Sequence, residues 1–149
     1  MVQGFRLDVR YATDNNFVHT AVYNQSRAIL QRPAAEALVR VAQRLEAECG
    51  LGLLIYDGYR PWAVTKIFWD LTSPELHEFV ADPEHGSKHN RGCAVDLSLY
   101  RIQTDSNGSV SYEAVQMPCD FDDMTDKAHS EYTGDPSLQP GTTEYEAQQ

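Results

Sequence analysis

The feature that most limits what this chain can fold into is Ser87-Lys88-His89-Asn90-Arg91-Gly92-Cys93-Ala94-Val95-Asp96. It places an imidazole and a carboxylate seven positions apart with a glycine between them. On one unbroken strand an odd separation sends two side chains to opposite faces. His89 and Asp96 can meet at one ion only if the chain turns between them, and Asn90-Arg91-Gly92 supplies the turn chemistry. Beyond it, Cys93, Val95, Leu97 and Leu99 alternate with Ala94, Asp96 and Ser98. The alternation predicts a strand over Cys93–Tyr100, with the odd positions in a core and Asp96 on the wet face, toward a cleft.

The rest of the composition narrows the partners. At 149 residues, 42% of them apolar, the chain reads as one domain with enough material for a core. A formal net charge of −10 argues against nucleic acid and against an anionic membrane surface. No run approaches the roughly 18 apolar residues of a membrane span, and Met1–Arg6 shows no apolar signal region. The 3 cysteines, Cys49, Cys93 and Cys119, cannot all pair with one another and include no C-x-x-C. They are expected to be reduced thiols of a cytoplasmic protein.

Leu7, Val9 and Tyr11 alternate with charged residues and predict a short first strand. Thr13–Gln31 has no clear period and reads as loop. Pro33–Cys49 is the clearest helix, with Leu38, Val41, Ala42, Leu45 and Cys49 as its stripe, Pro33 at its first turn and Gly50 as its stop. Leu53–Tyr56 predicts a buried strand ending at Asp57. Pro61 then opens a helix with Val64, Ile67, Phe68 and Leu71 inward, and Ser73-Pro74 starts another short one through Val80. Asp82–Gly92 is read as loop. Asp105-Ser106-Asn107-Gly108 is a hairpin signal, with Val110–Val115 as the return strand.

Ser87, His89, Gly92, Ala94 and Asp96 fit S-x-H-x-x-G-x-A-x-D, and with them the chain resembles the zinc D-alanyl-D-alanine dipeptidases of the VanX type. That family belongs to a wider group of zinc DD-peptidases sharing a fold with the hedgehog signalling domain. Asp57-Gly58-Tyr59-Arg60-Pro61 resembles its catalytic arginine segment, Arg10–Phe17 its N-terminal motif, and Phe121-Asp122 a later substrate-site pair. The resemblance implies a small α+β domain with a central antiparallel sheet and helices packed on it. It implies one Zn2+ held by His89 and Asp96, and Arg60 as the catalytic cation at the scissile carbonyl. Ser87 would take the substrate carboxylate, Asp122 the substrate ammonium, and Asp57, counted with the substrate-binding group, would above all orient Arg60. The implied reaction is hydrolysis of the D-Ala-D-Ala dipeptide by metal-activated water, in the turnover of cell-wall precursors. Taken alone, the residues leave blander roles open. A histidine and an aspartate seven apart are weak evidence of a metal. Arg60 could simply pair with Asp57 or Asp96, Ser87 could cap the turn, and Asp122 is one of the acidic residues of a solvated Asp120–Asp126 loop.

One departure stands out. The family draws a third zinc ligand and its general base from a late E-x-x-H motif, and residues 1–149 contain none. His85, His77 and His19 are not expected to replace it. The expectation is a single dipeptidase-like domain over 1–149, incomplete at its C-terminus. Residues 130–149 would be a polar tail ending in a helix start at the capping box Thr143-Glu144-Tyr145-Glu146. This length alone is expected to turn over substrate at near-background rate, and an unfinished sheet edge would invite self-association. A zinc- or peptide-binding module without catalysis, and a related D,D- or L,D-carboxypeptidase, are the competing readings.

Overall fold

The computed structural model describes residues 4–129 and 132; the capping box at Thr143–Glu146 lies outside them. Two units divide the chain, Met1–Val115 and Gln116–Gln149.

The first unit is an α+β fold built on a four-stranded sheet of order β1-β2-β3-β4. The strands are β1 (Phe5–Leu7), β2 (Leu51–Asp57), β3 (Asp96–Thr104) and β4 (Val110–Ala114). The sheet is antiparallel from β2 to β4, and β1 joins β2 in parallel, Phe5 opposite Leu53 and Leu7 opposite Ile55. Helix α1 (Arg32–Cys49) precedes β2, and helix α2 (Trp62–Leu71) follows it. Proline opens α1, and Gly50 closes it in the left-handed region, its N–H turned back to the carbonyls of Leu45 and Glu46.

Packing on α1 is narrower than its apolar stripe. Ala42 meets Leu53 and Ile55 in a buried cluster joined by Leu38, Leu45, Phe5, Val95 and Leu99. Val41 and Cys49 stay exposed. On α2 the buried residues are Val64, Thr65 and Phe68, while Ile67 and Leu71 face outward. The helix is turned by what it must reach. Phe68 closes on Tyr11 (4.7 Å between ring centroids) and Phe17 (5.0 Å), and Thr65 meets the side chain of Asn90.

Both strand starts differ from the alternation seen in sequence. β1 ends at Leu7, and Tyr11 lies on a 3-10 turn, Arg10–Ala12, that buries both Val9 and Tyr11. The strand β3 begins at Asp96 rather than Cys93, because Cys93 N–H is already used by the Lys88 carbonyl in the turn before it. Its odd face is only partly a core face. Val95 and Leu99 pack on the α1 cluster, but Leu97 is exposed. The even face, read as wet, buries Ser98 and Tyr100. Tyr100 lies flat across Gly52, where a β-carbon would overlap its ring. The hairpin falls where Asp105–Gly108 placed it, with Oδ1 of Asp105 accepting from the amides of Asn107 and Ser109.

In the second unit the described residues form turns and one 3-10 turn, Asp126–Ala128, whose Lys127 N–H is capped by Thr125 Oγ1 at 3.4 Å. Cys49, Cys93 and Cys119 are free. Among the described residues no helix is long and apolar enough to cross a membrane.

Candidate active site

The site begins with an irregularity in β2. Ile55 lies opposite Leu97, but Asp57 lies opposite Asp96, so two steps on β2 match one step on β3. Tyr56 is the extra residue of a bulge. Side chains alternate along a strand, so without the bulge Asp57 would share the face of Ile55, toward α1. The bulge brings it to the face of Asp96, and re-aiming side chains is what bulges do at the ends of ladders.

Asp57 is 1% exposed, and its carboxylate is fully engaged. Oδ1 accepts from the Tyr23 hydroxyl at 2.9 Å and from Gly58 N–H at 2.8 Å. Oδ2 accepts from Arg60 Nε at 2.9 Å, with Nη2 of the same guanidinium also at 2.9 Å. Burial raises the Asp57 pKa, the Arg60 charge pulls it back down, and the balance stays above the usual carboxylate value. Burial, followed by the charge of Asp57, pushes the Tyr23 phenol far above its ordinary pKa, so Tyr23 stays protonated and donates.

Arg60 leaves β2 three residues later. Nη2 reaches Asp96 Oδ2 at 3.1 Å. Its guanidinium carbon lies 4.9 Å from the centre of the Phe68 ring and 5.2 Å from that of Tyr11. Burial works against its charge, but Tyr11 and the carboxylates of Asp57 and Asp96 outweigh it and hold the Arg60 pKa above normal. An arginine fixed by two carboxylates and two rings has little rotamer freedom left.

The chain does turn between His89 and Asp96. Residues His89–Arg91 form one 3-10 turn, and Gly92 at φ 64° reverses the direction. The turn delivers His89 Nε2 to 3.3 Å from Asp96 Oδ1. The other ring nitrogen, Nδ1, lies 2.8 Å from the Gly58 carbonyl. A carbonyl only accepts, so Nδ1 carries the proton and Nε2 is the nitrogen turned to Asp96. Burial opposes protonation of this imidazole, the hydrogen bond and charge of Asp96 favour it, and the net pKa is raised.

Ligand atoms of Asp57, His89 and Asp96 all lie within 4.8 Å of one another, the group of this kind among the described residues. The Asp57 oxygens are taken by Tyr23, Gly58 and Arg60, so the donors left for a cation are His89 Nε2 and Asp96 Oδ1. A borderline nitrogen with a hard anionic oxygen fits a divalent ion. Ser87 is buried beside them, its Oγ accepting from Asn90 N–H at 3.1 Å. Asp122 belongs to the second unit, at φ 63°.

Of the residues expected from sequence, Asp57, Arg60, His89 and Asp96 are therefore brought into one bonded network, with Ser87 next to it. Tyr23 and Asn90 were missed as members. Tyr23 sits in a stretch with no local pattern, and only its contact with Asp57, 34 positions on, reveals it.

Fold and site together define an α+β domain that carries a candidate metal-binding group at one end of its sheet. More narrowly, a family model described as D-ala-D-ala dipeptidase matches residues 1–140, and the chain belongs to that family. It is 32% identical over 134 residues to a D-alanyl-D-alanine dipeptidase of Escherichia coli (strain K12), covering 90% of this chain and 62% of that protein. A D-alanyl-D-alanine dipeptidase of Enterococcus faecium is 34% identical over 152 residues, covering 90% of this chain and 71% of the relative. One from Enterococcus faecalis (strain ATCC 700802 / V583) is 34% identical over 147 residues, covering 87% and 69%. The chain thus spans between 62% and 71% of the length of these relatives.

Proposed function

We propose that this chain carries the zinc- and substrate-binding part of a dipeptidase that hydrolyses D-Ala-D-Ala in cell-wall precursor turnover. His89 Nε2 and Asp96 Oδ1 are the residues that would hold the ion. The chemistry such an ion would supply is a bound water with its pKa lowered to about 7 and Lewis-acid polarisation of the scissile carbonyl.

The chain's own groups do the rest. Arg60 is presented to the oxyanion of the tetrahedral species, and because Asp57 and Asp96 already fix its guanidinium, little reorganisation accompanies the charge. Asp57 serves by holding Arg60, since its buried oxygens are all occupied. The Ser87 oxygen accepts from the turn, which leaves its proton to donate to the dipeptide carboxylate. The observation that supports this reading most strongly is the pair of contacts on one imidazole, Nδ1 on Gly58 and Nε2 on Asp96. Outer-shell bonds of this kind fix the tautomer of a metal-binding histidine.

The test is calorimetry of zinc and D-Ala-D-Ala on the purified metal-free protein, with release of D-alanine followed in parallel. One ion per chain, zinc-dependent dipeptide binding and near-background release are expected of residues 1–149, and release that is lost in Arg60→Ala is expected of the protein purified from its natural source. Zinc and dipeptide bound with no D-alanine released by the protein purified from its natural source would replace the reading with a binding module. Preference for longer cell-wall peptides over the dipeptide would make it a carboxypeptidase. No zinc bound at all would remove the reading.

A further inference from the structure

Asn90 makes three side-chain hydrogen bonds that join separate parts of the site. Nδ2 donates to the Arg60 carbonyl at 2.9 Å and to Thr65 Oγ1 on α2 at 2.8 Å. Oδ1 accepts from Ser87 N–H at 2.9 Å. A backbone carbonyl can only accept and a backbone N–H can only donate, so the carboxamide has one possible orientation.

Two more bonds run between the same segments. Arg60 N–H donates to the His89 carbonyl at 3.1 Å, and His89 Nδ1 donates to the Gly58 carbonyl at 2.8 Å. The stretch Gly58–Arg60 is thereby zipped to His89-Asn90, and Asn90 alone extends the zipper to α2 and to Ser87. Asparagine is the side chain that offers two donors and an acceptor on a single methylene. Aspartate has no donor, serine has one, and glutamine is a methylene too long. Leaving these part-buried groups unpaired costs more than their bonds contribute.

We propose that Asn90 is a positioning residue. It ties the Arg60 segment, the His89 turn, the Ser87 loop and α2 into one unit, which sets the spacing between the guanidinium and the imidazole–carboxylate pair. This inference rests on reading Arg60, His89 and Asp96 as one site, and its test separates the two ideas.

Amide exchange is measured by NMR on the full metal-free chain, wild type against Asn90→Ala and Asn90→Asp. In Asn90→Ala the Arg60 and Ser87 amides are expected to exchange at least about 5-fold faster, the scale of one lost hydrogen bond; in Asn90→Asp, which keeps an acceptor for Ser87 N–H, the Arg60 amide alone is expected to accelerate, and in both the β2–β3 ladder is unchanged. Thr65→Val removes only the α2 anchor and keeps the test open should the Asn90 variants not fold; the Arg60 amide is expected to accelerate there too. Cobalt(II) titration forms the second arm. Affinity is expected to fall in Asn90→Ala, by less than the about 10–100-fold of groups bonded directly to a metal ligand, with altered d–d bands. Uniform acceleration of all amides, or none at Arg60 and Ser87, would overturn the proposal. Failure of the wild type to bind cobalt would instead sink the metal reading, with the exchange arm still deciding the role of Asn90.

Discussion

One carboxylate, Asp96, is shared oxygen by oxygen with Arg60: Nη2 of the arginine lies 3.1 Å from Oδ2, and Oδ1 is left to the His89 imidazole at 3.3 Å. The division matters chemically. A carboxylate bridging a guanidinium and an imidazole fixes the distance between the group that would hold the ion and the group that would meet the oxyanion. Asp57 repeats the hold on Arg60 from behind, so the arginine cannot move without breaking two ion pairs.

Arg60→Ala leaves Asp57 charged, buried and without its cation. Breaking one side of a buried pair costs about 3–5 kcal/mol, and the urea midpoint at pH 7 should fall accordingly. Arg60→Lys keeps a charge but lacks the fork that spans both carboxylates. It is expected to recover part of the stability and little of any hydrolysis, since loss of an oxyanion donor costs on the order of 10²–10³ in rate. A lysine variant with full activity would show that the planar geometry is unimportant.

His89→Gln and Asp96→Asn each remove one donor of the proposed ion. Even outer partners of a ligand are worth about 10–100-fold in affinity, so each variant should lose more than that in zinc binding by equilibrium dialysis. Asp57→Asn should differ. Its oxygens face Tyr23, Gly58 and Arg60, so it is expected to lose stability first and to retain measurable zinc binding.

Much of this was legible in the sequence for reasons that are local. The turn at Asn90-Arg91-Gly92, the caps of α1 and the Asp105–Gly108 hairpin are set by residues adjacent in the chain. The bulge at Tyr56 was not legible, because it exists only where two strands fail to keep step. The rotation of α2 was hidden for the same reason. Ile67 and Leu71 continue the apolar period, but Thr65 is drawn inward by a hydrogen bond from Asn90, 25 positions later. Pattern also favoured Leu97 over Ser98 as the buried residue, while the fold lays Tyr100 and Ser98 against the face that holds Asp96.

Tyr23→Phe tests the least legible member. It deletes one hydroxyl and leaves Asp57 Oδ1 with Gly58 N–H as its remaining partner. Losing one hydrogen bond to a charged group costs about 1.5–3 kcal/mol. The expected result is a lower melting temperature and weaker fixation of Arg60, with zinc affinity changed less than in His89→Gln. No change in stability would mean that water replaces the phenol.

The metal-free protein should lose stability on the alkaline side of the ordinary histidine pKa. Burial lowers the tendency of His89 to hold a proton, but Asp96 more than compensates, and the folded-state pKa is raised. The folded state therefore binds this proton more tightly than the unfolded state does. Its stabilising contribution is complete below the unfolded value of about 6.5 and is lost as pH rises through the raised folded value. The urea midpoint should fall across that window, and the fall should be absent in His89→Gln. Zinc competes for the same nitrogen, so its affinity should rise over the same interval as the proton leaves. A metal-free midpoint that stays flat as pH rises above the ordinary histidine value, or a zinc affinity that does not increase there, would show that His89 Nε2 is not the nitrogen facing Asp96.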